Sequence, residues 1–521
     1  MFSTIKILGK LYFEHSYLDR CKLVRYGCDD PTAKHSRIRF FPLAIIIIIL
    51  IVGSAAAFLL LPNNTPGNQK SSQATSFVSS TTLESTIYTS TSVSTGTLTG
   101  SNYSQAWLTY HDSLSRDGYD ANEPSVLSTA PALDWKSTKL DGAIYAEPLV
   151  DGGKVIVATE NNSVYALSES NSTMIWHVNL GQPVPASSLP CGDINPSGIT
   201  GTPVIDGVTN TVYVVAYLKQ GGHELYAINL DNGSIVFQRN VDPPGVSTSV
   251  EQQRGALALS QGMIYIPYGG LYGDCGQYHG FVIGVPENNS FATPLTYQVP
   301  TGREGGIWAS SGIAIDQSGN IYVATGNSEA TSTFDFGDAL IRLTPSLQEA
   351  SYFAPTNWAA LNSGDTDLGS VGPTILNNQT IFQIGKAGVG YLLNASNLGG
   401  IGGEEFSAQV CSGAYGGIAY APHFLFVPCT DGLVALRVNL TSRSFTKVWS
   451  GPQFDAGPPI VAGHAVWLID VSSGVLYALN ETTGSTIFTY QIGSVAHFST
   501  PSCADGRIFV EANDGVLAVS I

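Results

Sequence analysis

Few side chains in this chain combine a reactive type with a telling position. Seven cysteines, Cys21, Cys28, Cys191, Cys275, Cys411, Cys429 and Cys503, could form disulfides, but none has the spacing of a zinc motif. Arg254, Arg303 and Glu304 stand just ahead of β-rich runs, where they could bind an anionic ligand or pair with one another. His279 lies between Tyr278 and Gly280 with no second His or Cys at metal-ligand spacing, which makes it a hydrogen-bonded rim residue. Read alone, Asp365 and Asp367 are loop carboxylates or turn formers, Asn327 after Gly326 caps a turn, Lys386 before Ala-Gly is an exposed turn residue, and Trp308 is a core aromatic. No P-loop, dinucleotide fingerprint or nucleophile elbow is present.

The elements that position these residues follow from one phrase written eight times between Ala146 and Val510. It consists of a small residue, often Pro, then two or three apolar residues, a Gly-containing turn and a β-rich run, as in AEPLVDGGKVIVA and GTPVIDGVTNTVYVV. With Pro148, Pro203, Leu257, Ile313, Pro373, Ile418, Pro459 and Pro501 as anchors, the units are spaced by 55, 54, 56, 60, 45, 41 and 42 residues. This period, rich in short strands, predicts an all-β fold: an eight-bladed β-propeller of four-stranded blades over residues 105–521. Tyr165, Tyr226 and Tyr477 are each followed eleven residues later by an aromatic, across a polar turn. That spacing predicts a third and fourth strand whose late aromatic packs between blades. The eighth unit stops after three strands, so Ala132–Leu140, which carries Trp135, is expected to supply its outer strand and close the ring.

Alternating strand direction sorts the loops onto two ends. Loops leading into inner strands and turns leaving second strands share one end, here called the top. Cys191, Cys275, Cys411 and Cys429 all fall there, and Cys191–Cys275 and Cys411–Cys429 are the expected disulfides. Cys503 lies between first and second strands, at the bottom, buried and outside both pairs.

At the level of these repeats the chain resembles the quinoprotein (pyrroloquinoline quinone, PQQ) dehydrogenase-like propellers. In the enzymes of that group PQQ lies on a Trp on the top face, beneath a disulfide of adjacent cysteines, with a Ca²⁺ held by Glu and Asn and an Asp as base. GGIWASSGIAIDQSGNIYVATGN is similar to the stretch that holds the floor Trp and the calcium Asn, implying Trp308 and Asn327. NWAALNSGDTDLGS is similar to the stretch that holds the base, implying Asp365 or Asp367, and IGKAGVGYLL places Lys386 against the quinone. Two positions depart from the pattern. Gly192 follows Cys191 where an adjacent cysteine is needed, and Cys275 occupies the place of the calcium Glu, leaving Asp274 as the neighbouring oxygen ligand.

The N-terminal fifth has a different composition. Residues 40–61 carry no charge and include IIIIILIV, long enough for a transmembrane signal-anchor helix. Residues 1–39 hold eight Lys/Arg against four acids, which places the N-terminus, with Cys21 and Cys28, in the cytoplasm and the propeller outside a single-pass cell membrane. A cleaved leader ending near Ala55-Ala56-Ala57 is the rival reading, opposed by the FLLL that continues the apolar run. Residues 62–104 read as a disordered Ser/Thr-rich stalk. Ten Asn-X-Ser/Thr sequons follow the span: Asn63, Asn102, Asn161, Asn171, Asn232, Asn288, Asn378, Asn394, Asn439 and Asn480. A net charge of −17 argues against a nucleic-acid partner.

These features lead to the expectation of a surface propeller whose top face binds a small molecule or protein, with no catalysis assigned. The resemblance implies an alternative, a PQQ- and Ca²⁺-dependent dehydrogenase of an alcohol or sugar, with Trp308 and Lys386 on the quinone, Asn327 and Asp274 on the metal and Asp365 or Asp367 as base. A structural component of the cell envelope is the third reading.

Overall fold

The computed structural model describes residues 106–121, 130–289, 291–513 and 515–521. The expected cytoplasmic segment, anchor helix and stalk, with Cys21, Cys28 and the sequons at Asn63 and Asn102, lie outside them. Among the described residues no helix is long and apolar enough to cross a membrane.

Eight antiparallel sheets follow one another along the chain. The first blade is Leu149–Asp151, Lys154–Ala158, Ser163–Ser168 and Met174–Asn179, paired in that order, and the remaining blades repeat it. Inner and middle strands are near-continuous runs of buried Val, Ile, Leu and Tyr, whereas outer strands alternate, because only they face water. Six sheets have the expected four strands and two have five. In blade 3 the short strand Glu251–Gln252 also pairs with Met263–Gly270. In blade 4 Gly400–Ile401, from the long turn of blade 5, pairs in parallel with the outer strand Glu349–Ala354 and covers its edge.

Blade 8 closes as the repeat count requires. Ala132–Lys136 pairs antiparallel with Val516–Ser520, joining the start of the propeller to its end. Of the late aromatics, Trp176 bridges blades by a hydrogen bond, as do Trp135 and Trp449 from other outer strands. Trp135 Nε1 donates to the Glu169 carbonyl at 2.8 Å, Trp176 Nε1 to Leu230 at 2.9 Å and Trp449 Nε1 to Glu481 at 3.1 Å, each reaching the next blade. Gly233 and Gly484, at φ of +71° and +69°, lie against the Trp176 and Trp449 rings, where a Cβ would collide.

A non-repeating segment, Trp107–Asp120, plugs the lower half of the central channel. Inner strands have one unpaired edge, and six donate from equivalent positions to this segment. The N–H groups of Val150, Ile205, Ile315, Ile375, Tyr420 and Val461 reach the carbonyls of Trp107, Leu108, Leu114, Ser115, Asp117 and Gly118. Each donor sits two residues after its anchor, so the plug reads the register of the repeat. Trp107, His111 and Arg116 are buried, and buried Glu147 accepts from Trp107 Nε1 at 3.1 Å and from the His111 N–H at 2.9 Å.

Candidate functional site

The disulfides Cys191–Cys275 and Cys411–Cys429 are both formed, and buried Cys503 takes part in neither. The sorting of top loops from bottom turns therefore holds, and the top is where the other singled-out residues meet.

Asp367 lies at their centre. The helix Trp358–Ser363 precedes it, tied to blade 4 by Asn362, whose Oδ1 accepts from Ser328 N at 3.0 Å and whose Nδ2 donates to Ala330 O at 2.7 Å. A short 3₁₀ turn, Leu368–Ser370, follows, fixed by Leu368 N donating to Asp338 Oδ1 at 2.7 Å. The Asp367 carboxylate, held between them, is only 3% exposed. Its Oδ2 accepts from Trp308 Nε1 at 3.1 Å and meets Lys386 Nζ at 3.1 Å, while Oδ1 accepts from the Asn327 backbone N–H at 3.0 Å. Lys386 also reaches Asp365 Oδ1 at 2.7 Å, and its Nζ lies 5.7 Å from the centroid of the Trp308 ring. Burial disfavours the ammonium, but Asp367 and Asp365 outweigh it and raise the Lys386 pKa, so Lys386 is charged and Asp367 is its counter-ion.

Trp308 is flanked by two aromatics that sequence reasoning did not single out. Tyr415 and Phe498 lie 6.5 and 6.4 Å from its ring, tilted by 48° and 46°, and stack on each other at 6.0 Å. They come from the loops entering blades 6 and 8, so three blades meet over the channel. Arg254, from blade 3, places its guanidinium carbon 4.8 Å from the Phe498 centroid. Among the described residues no hydrogen bond or ion pair engages that guanidinium. Burial lowers the Arg254 pKa, and Asp193, Tyr145 and Glu160 lie near enough to oppose that shift in part. Glu160 is itself buried, with Oε2 accepting from Gly198 N at 2.5 Å, and burial raises its pKa to about 7. A signal for these residues was present: Tyr145, Arg254, Tyr415 and Phe498 each stand three residues before an anchor of the repeat.

The other singled-out groups form a separate cluster. Asp274 Oδ1 accepts from Tyr278 Oη at 2.6 Å, and its carbonyl accepts from Arg303 at 2.9 Å. Arg303 is paired with Glu304 and with Glu329, the latter at 2.9 Å, so of the two options open to Arg303 and Glu304 the structure takes pairing. The His279 N–H donates to Glu251 Oε1 at 3.0 Å, and its Nδ1 lies 3.4 Å from Thr301 Oγ1.

This arrangement offers an aromatic platform with a neutralised cation at one end and an open one at the other. It does not offer a metal cage. Asp274 is taken by Tyr278, and Asn327 joins the centre through its backbone. Among the described residues, the one convergence of three His, Cys, Asp or Glu ligand atoms is Cys411, Cys429 and Asp431, whose sulfurs are joined to each other. Nor is Asp367 disposed as a base, since both oxygens are engaged by donors. The residues therefore do not fit a quinone–calcium pair in the manner implied by the resemblance, and no catalytic step through it is derived.

Comparison with known proteins finds relatives of this fold. Residues 132–268 match the PQQ-repeat family model described as outer membrane protein assembly factor BamB. Beyond that stretch, the whole ring shares its fold with PQQ-type β-propellers. A quinohemoprotein alcohol dehydrogenase of Pseudomonas putida HK5 is 13% identical with a TM-score of 0.63, over 80% of each chain. A quinohemoprotein alcohol dehydrogenase of Comamonas testosteroni is 15% identical with a TM-score of 0.60, also over 80% of each chain. BamB of Moraxella catarrhalis is 15% identical with a TM-score of 0.50, over 75% of this chain and 97% of its own. At these identities the likeness is one of fold, shared by enzymes and by an assembly factor. No curated relative matches the sequence.

Proposed function

We propose that this chain is a membrane-anchored, extracytoplasmic PQQ-type propeller whose top end binds a planar anionic ligand, or a partner presenting one, as a binding surface. The observation that carries this reading is Arg254. It is a cation without a hydrogen-bond partner among the described residues, set over Phe498 beside the stacked Tyr415 and the Trp308 platform. A planar acid lying on those rings would bring its carboxylate to a fork with open donors. Asp367, engaged on both oxygens, supports binding over proton abstraction.

The probe is PQQ itself, a planar polyacid, titrated by quenching of tryptophan fluorescence in the ectodomain with and without Ca²⁺. Binding independent of Ca²⁺ and weakened at least about tenfold in Arg254→Ala is expected, since a charged hydrogen bond contributes about 1.5–3 kcal/mol. An Arg254→Ala affinity equal to that of the parent would sink the reading. The dehydrogenase alternative is favoured by the gathering of Trp308, Lys386 and Asp367. It predicts Ca²⁺-dependent, PQQ-dependent dye reduction by an alcohol or sugar, abolished in Trp308→Ala. A structural envelope role predicts neither binding nor turnover. The anchor at residues 40–61 predicts retention in membranes through a high-salt wash, whereas a cleaved leader predicts release.

A further inference from the structure

The sequons are distributed unequally between the two ends of the ring. Eight lie among the described residues, and strand direction puts seven at the bottom. Asn171, Asn232 and Asn288 lie in the turn between third and fourth strands, Asn394, Asn439 and Asn480 end the third strand at the same turn in three further blades, and Asn378 lies in a turn between first and second strands. Asn161 alone is at the top, beyond the second strand of blade 1.

Five of the bottom sequons share one geometry. The Oδ1 atoms of Asn171, Asn232, Asn394, Asn439 and Asn480 accept the backbone N–H of Thr173, Ser234, Ser396, Thr441 and Thr482, at 2.9 to 3.1 Å. In each, the donor is the hydroxyl residue of the same sequon. The amide is thereby folded over its own turn, with Asn and Ser/Thr held together and the nitrogen left over. That nitrogen has no partner among the described residues at four of the five, and at Asn394 it stands 3.5 Å from Glu405 Oε1. Asn161 and Asn378 differ. The Asn161 Nδ2 donates to the Asp141 carbonyl, and the Asn378 Nδ2 donates to Gln317 Oε1 at 3.0 Å.

We propose that the propeller is N-glycosylated at these five turns and bare at Asn161, so that carbohydrate coats the end opposite Arg254 and Trp308 and leaves the binding end open. In the modification, Nδ2 forms a bond to the anomeric carbon of a lipid-phosphate-linked oligosaccharide. The bond from that carbon to the phosphate oxygen breaks, the lipid phosphate leaves, and Nδ2 gives up a proton. The proposal rests on the extracytoplasmic placement given above.

The test uses the full chain made in cells that N-glycosylate exported proteins, with intact glycopeptide mass spectrometry and, on the same cells, surface labelling of lysines by an impermeant reagent. Sugar on the five turn peptides, with the Asn161 peptide unmodified, is expected. Bare turns in a surface-labelled chain, or sugar on Asn161, would overturn the proposal and leave the placement standing. Bare turns without surface labelling would overturn both. Combining Thr173→Ala, Ser234→Ala, Ser396→Ala, Thr441→Ala and Thr482→Ala keeps every accepted backbone N–H while removing the sequon hydroxyls. This variant should lose the sugar and bind PQQ within twofold of the glycosylated protein. A tenfold change in affinity would place the coat over the binding end, against the proposal. Sugar at the five turns with no PQQ binding would support the coat and sink the ligand reading alone.

Discussion

Two arginines lie toward opposite ends of the central channel, and they are treated in opposite ways. Arg116, in the plug, is 1% exposed and donates to the carbonyls of Ile313, Tyr110 and Leu257 and to Thr109 Oγ1, all at 2.8 to 2.9 Å. Arg254, at the top, rests on Phe498 with no hydrogen bond among the described residues. A buried guanidinium stripped of water must have its donors satisfied, so saturation marks Arg116 as part of the framework. An unsaturated guanidinium in a half-buried aromatic setting marks a place where something else completes the shell. The contrast separates the end that holds the ring together from the end proposed to take a ligand.

The sharpest way to break this comparison is to remove the saturated arginine. Arg116→Ala should cost about 4 kcal/mol, as expected for a disrupted buried network, measured by urea denaturation. A loss below about 1 kcal/mol would mean that the plug is ornamental. A smaller effect concerns His111, stacked on Tyr110 at 4.3 Å, whose pKa burial lowers from 6.5 to about 3. A depressed folded pKa gives stability that is present above 6.5 and lost as pH falls toward 3. Relative to His111→Phe, which keeps the stacking, the parent should therefore lose about 2 kcal/mol between pH 6.5 and about 5. A pH-independent difference would show that the imidazole is not sealed from water. The smallest expected change is Arg254→Ala, within about 0.5 kcal/mol of the parent in the same denaturation. A large destabilisation there would make Arg254 a framework residue and erase the contrast.

The blades, the closing strand and the cysteine pairs were legible because each follows from counting equivalent positions along a repeat. Trp135 was expected in the missing outer strand from the three-strand end of the eighth unit, and strand direction placed Cys191 with Cys275. The plug was not legible. Trp107–Asp120 matches no unit, and its bonds run through the backbone N–H groups of Val150, Ile205 and their equivalents, which leave no mark on side-chain type. At the site, Trp308, Asp367 and Lys386 were collected on the correct end. That Asp367 would be held by three donors depended on distances between loops of different blades. Tyr415 and Phe498, three residues behind their anchors, were missed because residues there stood out only by charge, as Arg254 did, or by the resemblance, as Trp308 did.

The closing strand also bears on how the molecule is made. Ala132–Lys136 emerges early in synthesis, yet its partner Val516–Ser520 is the last strand of the ring, with Ser520 388 positions after Ala132. Contacts at such separation form late, so a nascent ring stays open until the final residues arrive. Until then Ala132–Lys136 lacks the neighbour that joins it to blade 8, and Trp135 has no sheet to lie on. A chain that lost its last dozen residues would fail at its beginning as well as at its end.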